Sequence, residues 1–339
     1  MNDRILVTGG AGFIGSHTYV TLVRAGLAPL ILDNFSNSNP LVLKRLQGIA
    51  GAAPDFVEGD IRDGALLDRI FAQYRVSAVI HFAALKAIGE SVAKPLDYYD
   101  NNVGGTLALL MAMRRAKVTS MVFSSSAAVY GDAATIPIRE DFPRSATNPY
   151  GRTKIIIEDI LEDLCRAEPQ WSIARLRYFN PAGAHESGLI GEDPSGTPNN
   201  LMPYVAQVAA GRRAYLQVFG GDYPTPDGTG VRDFIHVMDL AEGHVAALRH
   251  LQAKGGHHTV NLGTGHGVSV RQMIDAFERA SGRPVPYKIV ARRPGDVAAC
   301  CADATLAKEV LGWEAHRSIA AMCTDAWRWQ ANNPNGFQS

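Results

Sequence analysis

The chain has 339 residues, 46% of them hydrophobic, enough to bury a sizeable core in one large or two intimate domains. Lys+Arg and Asp+Glu both number 33, so the net charge is zero and no basic excess marks nucleic acid or an anionic membrane as the main partner. No apolar run approaches the ~18 residues of a membrane span, and because the first strand-like run, residues 4–7, starts almost at Met1, no signal peptide is expected.

Taken in chain order, short apolar runs fall at 5–8, 29–32, 56–57, 78–82, 121–124 and 173–176. Helical stretches long enough for crossovers lie at 14–25, 96–116 and 153–167. Strands buried on both faces read as continuous apolar runs, so the pattern predicts an α/β fold, a Rossmann-like doubly wound parallel sheet. Stretches 107–116 and 155–164 are apolar around much of their circumference. Such helices are buried in a core or against a second subunit, and a homodimer is expected. After Asn180, Pro181, Pro194, Pro198, Pro203, Pro224 and Pro226 break up a region that still carries aromatic and apolar residues. This divides the chain into a dinucleotide-binding domain, 1–180, and a smaller substrate domain, 181–339. Residues 260–262 read as another buried strand, so a segment near 230–265 is expected to return to the main sheet and interleave the two. Cys165, Cys300, Cys301 and Cys323 lack metal-ligand spacing and are too few for a disulfide framework. Reduced thiols in a cytoplasmic protein are expected. The ten histidines contain no His-Glu-x-x-His pair, and no metal site is expected.

Gly9, Gly12 and Gly15 form Gly-x-x-Gly-x-x-Gly between the first strand and the first helix. Their missing side chains permit a tight turn, close approach of a pyrophosphate and close helix–strand packing. The pyrophosphate would sit on the helix N-terminus, where free N–H groups and the dipole favour anions. Asp33 ends the second strand, where a carboxylate can accept from adenosine ribose hydroxyls and would repel a 2′-phosphate. NAD is therefore the expected cofactor, ahead of NADP. Asp60, followed by Ile61, faces the adenine amino group or caps a helix. The small residues within Phe82-Ala83-Ala84-Leu85-Lys86 suit a backbone passing close to the cofactor, and Lys86 reaches a ribose or phosphate or is solvated.

Ser124-Ser125-Ser126 end the fifth apolar run, where ligands bind in such sheets. Their hydroxyls satisfy backbone groups or, for one of them, bind a reacting hydroxyl and its developing oxyanion. Tyr150 and Lys154 stand four apart, on one face of a helix. An ammonium beside a phenol is expected to lower its pKa from ~10, making a proton acceptor usable near neutrality.

These features together resemble the extended short-chain dehydrogenase/reductase superfamily, and within it the UDP-glucose 4-epimerase family. The likeness runs through Gly9–Ser16 and His17, Asp33-Asn34, 57–62, 81–91, 98–102, 124–131, 177–181, 198–203, 228–237 and 292–296. It implies Ser126, Tyr150 and Lys154 as the catalytic trio. It implies an NAD site lined by Phe13, Ile14, Asp33, Asn34, Phe35, Ser36, Asn37, Ser38, Asp60, Ile61, Phe82–Lys86, Asn101 and Phe179, beside the three glycines. Lys86, Asn180, Asn200, Leu201, Gln217, Val218, Phe219, Arg232, Arg293 and Asp296 would contact the UDP-hexose, with guanidinium forks suited to a diphosphate.

The implied reaction is isomerisation. Tyr150 takes the proton of the sugar 4-hydroxyl, hydride passes from C4 to NAD, the 4-keto sugar turns over, and hydride returns to its other face. The resemblance also gives Cys300 a role. In the family, tyrosine at this position restricts the space beside the sugar 2-substituent, so a small residue leaves room for an N-acetyl group, and turnover of UDP-N-acetylglucosamine and UDP-N-acetylgalactosamine is expected. A 4,6-dehydratase on the same scaffold needs Asp-Glu just after the active-site serine, where this chain has Ala127-Ala128. A net reductase using NADPH conflicts with Asp33. A non-catalytic NAD-sensing module has no use for Ser126, Tyr150 and Lys154 together.

Overall fold

The computed structural model describes residues 3–133, 135–194, 196–293 and 296–337. Pro294 and Gly295 of the expected diphosphate motif lie outside them. Seven strands form one parallel sheet: β1 (Arg4–Thr8), β2 (Ala28–Asp33), β3 (Asp55–Glu58), β4 (Val76–His81), β5 (Ser120–Ser126), β6 (Ser172–Tyr178) and β10 (His257–Leu262). Their spatial order is β10-β6-β5-β4-β1-β2-β3. The uninterrupted apolar runs have a direct cause here. In β1, Leu6 packs into one core layer with α3 (Gly64–Gln73), α6 (Gly105–Ala116) and α7 (Pro149–Ala167). Its neighbours Ile5 and Val7 pack into the opposite layer with α1 (Phe13–Arg24), α9 (Val237–Lys254) and α11 (Thr305–Leu311). Alternate residues thus serve opposite faces, and both faces are covered.

The remaining helices of the first half are α2 (Leu41–Ala50), α4 (Ile88–Ala93) and α5 (Pro95–Tyr98). The helix predicted over 96–116 is not continuous. A π-helical turn, Tyr99–Gly104, separates α5 from α6. Within it, Asn102 is 1% exposed and turns its amide onto the chain leaving β4, accepting from Leu85 N–H at 2.8 Å and donating to Leu85 O at 3.0 Å and Thr153 Oγ1 at 3.1 Å. A widened turn of this kind commonly marks a functional segment. Leu109, Leu110, Ala112 and Met113 of α6 are buried, whereas Leu107 and Met111 are exposed, as are Ile88, Val92 and Leu96.

Directly after β6, β7 (Asn180–Ala182) leaves the large sheet and pairs in parallel with β9 (Val231–His236). β9 also pairs with β11 (Gly267–Ser269) and β13 (Ala299–Cys300). β8 (Leu216–Phe219) pairs with β12 (Tyr287–Val290). α8 (Leu201–Ala209), α10 (Val270–Ser281) and α12 (Ile319–Asn332) close around this part over Val205, Val218, Phe234, Phe277 and Met322. Of the stretch near 230–265, only β10 lies in the large sheet, beside β6. β9 belongs to the smaller one, paired with β7, β11 and β13. No helix among the described residues is long and apolar enough to cross a membrane.

Candidate active site

The strand order reverses between β1 and β4, and the crevice beyond their carboxyl ends is where ligands bind in such sheets. Gly9 has φ of +67°, and a methyl group built on it would lie 2.7 Å from Ala83 N. The turn leaving β1 therefore lies directly against the chain leaving β4, as only glycine permits. Gly12 is the N-cap of α1 and supplies no side-chain cap, so the first amides of the helix remain available to an anion. Asp33 is 7% exposed and accepts from Ala11 N–H, Phe35 N–H and Ser38 Oγ, each at 2.9 Å. A carboxylate offers about four acceptor positions, so one is left for a ribose hydroxyl. An uncapped helix start, a turn with no room for a side chain and a fixed carboxylate together fit a dinucleotide.

Asp60 does not cap a helix. Asp63 does, accepting from Leu66 N–H at 2.9 Å at the start of α3. Asp60 instead takes Arg62 Nε at 2.9 Å and Asn34 Nδ2 at 2.9 Å, and the Arg62 guanidinium holds its pKa down at about 2. Ile61 is buried in the core beneath it. Phe82 packs on His244, with ring centres 4.7 Å apart, and the Asn101 amide donates to Asn102 Oδ1 at 3.0 Å. Phe13 meets His17 edge-on, Ile14 packs against the layer under α9, and Phe179 is buried beside Tyr130 and Cys300.

Ser126, Tyr150 and Lys154 come together through α7. Asn148 caps this helix, accepting from Gly151 N–H at 2.9 Å, and Pro149 occupies its first turn. A methyl group on Gly151 would lie 2.8 Å from Ala128 O, so its absence lets the helix approach the turn Ala127–Tyr130 that follows β5. Ser126 accepts from Ala128 N–H at 3.1 Å, and its hydroxyl lies close enough to the Tyr150 phenol to oppose the rise of that group's pKa. Lys154 is 3% exposed and donates to Ser124 O at 2.7 Å. Its ammonium nitrogen lies 5.9 Å from the centre of the Tyr150 ring.

The expected lowering of the tyrosine pKa is not what this geometry produces. Burial pushes the Tyr150 phenol above its ordinary value, with the Ser126 hydroxyl opposing. Burial brings Lys154 down to about 7, with the charge of Glu158 opposing. The reason is placement. Lys154 makes its short contact with a carbonyl and reaches the phenol only across the ring, while both groups lose water together.

On the opposite wall, Asn200 stands at the N-cap position of α8 without a side-chain cap bond, and Leu201 begins the helix. Glu192 Oε1 accepts from Asn200 Nδ2 at 2.6 Å and from Lys86 Nζ at 3.2 Å, so Lys86 is ion-paired rather than simply solvated. Asn180 opens β7. In β8, Gln217 and Phe219 are exposed while the Val218 side chain is buried in the core, so Val218 offers a ligand only its backbone. Arg293 pairs with Asp296 at 2.9 Å and stands 5.4 Å from the centre of the Phe219 ring. Arg232 donates to Val231 O at 2.9 Å and has no carboxylate partner among the described residues. Cys300 lies in register with Arg232 across β13 and β9, and burial pushes its thiol up to about 11.

Sequence reasoning missed Glu192, Asn102 and a buried cluster around Glu158. Only the last had a signal. Glu158 continues the spacing of four from Tyr150 and Lys154.

The sheet order, the glycine turn, Asp33 and the meeting of Ser126, Tyr150 and Lys154 define an extended short-chain dehydrogenase/reductase. The family described as GDP-mannose 4,6 dehydratase matches residues 6–326. The UDP-glucose 4-epimerase of Yersinia pestis is 58% identical over 98% of this chain and 99% of its own. The crystal structure of UDP-glucose 4-epimerase from Bifidobacterium longum in complex with NAD+ and UDP superposes with a TM-score of 0.95 at 54% identity, covering 98% of this chain and 99% of that one. The Stenotrophomonas maltophila UDP-glucose 4-epimerase, with bound NAD and formylated UDP-arabinopyranose, superposes with a TM-score of 0.97 at 51% identity over 98% and 99%. The chain belongs to the UDP-glucose 4-epimerase family.

Proposed function

We propose that this protein is an NAD-dependent isomerase that interconverts UDP-glucose and UDP-galactose by inverting the sugar at C4. The observation that carries this reading is the joint placement of Ser126, Tyr150 and Lys154 beside the glycine turn, followed by two alanines where elimination would need an acid and a base. Full-length identity above one half with UDP-glucose 4-epimerases supports it.

Gly9, Gly12 and Gly15 with the α1 N-terminus hold the pyrophosphate, and Asp33 holds the adenosine ribose. Held there, NAD+ would supply the acceptor and donor for the C4 hydride and a positive ring that favours the phenolate. Tyr150 removes the proton of the 4-hydroxyl while Ser126 binds that oxygen and Lys154 balances the charge. Arg232 and Arg293 grip the diphosphate, so remote binding energy anchors the ligand while the 4-keto sugar turns over. The cycle leaves no net oxidation. Residues 1–180, with the returning strand β10, serve the cofactor, and most of 181–339 the sugar nucleotide.

Cys300 leaves room beside the sugar 2-position, so N-acetylated UDP-hexoses are also substrates. The exposed apolar side chains of α4, α5 and α6 are covered by a second copy of the chain, and a monomeric mass by light scattering at micromolar concentration would contradict this. Four unpaired cysteines suit the reducing cytoplasm. Incubation of the purified protein with UDP-galactose, coupled to detection of UDP-glucose, tests the main reading. Absence of UDP-glucose with NAD present would remove it.

A further inference from the structure

Behind Lys154, on the side away from the crevice, lies a charge cluster that the proposed reaction does not use directly. Glu158 is one turn along α7 from Lys154 and is 0% exposed. Its carboxylate accepts Arg177 Nε at 2.9 Å and Nη2 at 2.6 Å, Arg144 Nη1 at 3.3 Å, and Ser125 Oγ at 2.6 Å. Arg177 in turn donates to Tyr130 Oη and to Glu140 O, both at 2.9 Å. A carboxylate with no water around it is costly unless its oxygens are paired and bonded, and this one is bonded from β5, β6 and the loop before α7.

The Ser125 link runs straight to the strand end beside the reacting groups. Ser125 stands between Ser124, whose carbonyl holds the Lys154 ammonium, and Ser126, whose hydroxyl lies beside the Tyr150 phenol. Tyr150, Lys154 and Glu158 are spaced four apart along one face of α7, so the helix that presents the phenol also presents the carboxylate.

The other groups around Lys154 do not replace that negative charge. On β5 it meets the Phe123 ring, 4.9 Å from its centre, and the Ser124 carbonyl. On β4, His81 is bonded to Thr8 and Thr106, and burial holds its pKa down at about 3, so it is neutral. On β6, the Tyr178 phenol is bonded to His244 and pushed well above its ordinary value by burial, while Arg175 and Arg177 are positive. On α7, Tyr150 is a neutral phenol until it acts.

We infer that Glu158 is a positioning residue for the epimerase reaction. It supplies the negative charge behind Lys154 and anchors Ser125, and with it the end of β5 that carries Ser126. The inference rests on the roles proposed above for Ser126, Tyr150 and Lys154. Burial brings Lys154 to about 7, and the negative charge of Glu158 opposes the fall. Removing the carboxylate leaves the Arg177 guanidinium facing the lysine, and the ammonium is then lost at lower pH.

The test uses purified holoenzyme and the pH profile of UDP-galactose turnover, with kcat and KM separated. In Glu158→Gln, the fall of kcat on the alkaline side moves to lower pH by roughly one unit or more, the size expected for a charge one helical turn away at an effective dielectric near 20. KM stays within about twofold, because the diphosphate site on β9 is untouched. Glu158→Asp keeps the charge but shortens the reach to Ser125. Its alkaline limb matches wild type while kcat falls severalfold. Ser125→Ala lowers kcat with an unmoved limb. A merely structural carboxylate predicts instead that Gln and Asp lose activity in step with melting temperature and share one pH profile, and that result overturns the inference. If Glu158→Gln does not fold because Arg177 is left unpaired, Arg177→Gln is compared with the Glu158→Gln/Arg177→Gln double variant. The limb of the double variant lies about one unit lower, and coincident limbs overturn the inference. Wild type without epimerase activity sinks the underlying reading, whereas active wild type with unaffected Glu158 variants sinks only the inference.

Discussion

The wall of the crevice formed by β1, β2 and α1 is made largely of backbone. Its ligand-facing groups are the amides at the start of α1, a glycine turn pressed against the next strand, and one aspartate tied down by three donors. The facing wall, from β8, β9, β13 and α8, is made of side chains. Arg232, Arg293, Asn200, Phe219 and Cys300 come from positions scattered over a hundred residues of sequence, and several are exposed or paired only with near neighbours. Backbone sites leave a dense local motif, because glycines must occur at fixed spacing for the turn to close. Side-chain sites leave single residues whose meaning depends on what else the fold delivers to the same place.

The seam between the walls holds Ser126, Tyr150 and Lys154, to which the proposed reaction assigns the chemistry, and breaking it has the largest expected effect. Tyr150→Phe is expected to lower kcat by roughly 10²- to 10⁴-fold, the usual contribution of a positioned base, while leaving NAD retention intact. Near-normal turnover at saturating substrate would refute the assignment. Next in size is a challenge to the backbone wall. Apo protein reconstituted with NADP+ is expected to show on the order of a hundredfold less activity than with NAD+, since a 2′-phosphate would meet the Asp33 carboxylate. Equal activity would detach Asp33 from cofactor choice. The smallest effect is the most selective and probes the side-chain wall. Cys300→Tyr is expected to reduce N-acetylhexosamine turnover by roughly tenfold or more, because a close-packed pocket discriminates on a few heavy atoms, and to spare the UDP-glucose reaction. Parallel loss of both reactions, or a wild type inactive on N-acetylated substrates, would show that the gate lies elsewhere.

Legibility followed the same division. The alternation of apolar runs with crossover helices was readable because each strand of the large sheet is covered on both faces. The helix over 96–116 was misread because nothing local announces that Asn102 will reach back to Leu85 and Thr153 and widen the turn. From sequence, Asp60 could face the adenine amino group or cap a helix, and nothing local separated the two roles. The structure assigns the cap to Asp63 because Arg62 and Asn34 already hold Asp60. The electrostatics of the tyrosine–lysine pair were misjudged for a related reason. Spacing brings the two side chains to one helix face, but only the packed site decides that both are dehydrated and that the ammonium is engaged by Ser124 O.

By itself, the amino-acid sequence determined the sheet, the glycine turn, the carboxylate at the end of β2 and the shared helix face of Tyr150 and Lys154. All are local patterns: continuous apolar runs closed by a polar residue, a helical period near 3.6, or one short turn. The tertiary structure alone decided that β9 leaves the large sheet while β10 stays in it, that Glu192 joins Lys86 to Asn200, and that Glu158 lies buried among Arg144, Arg177 and Ser125. Those contacts join residues far apart in the chain, and a charge in such a place acquires its partners and its protonation only once water has been excluded from around it.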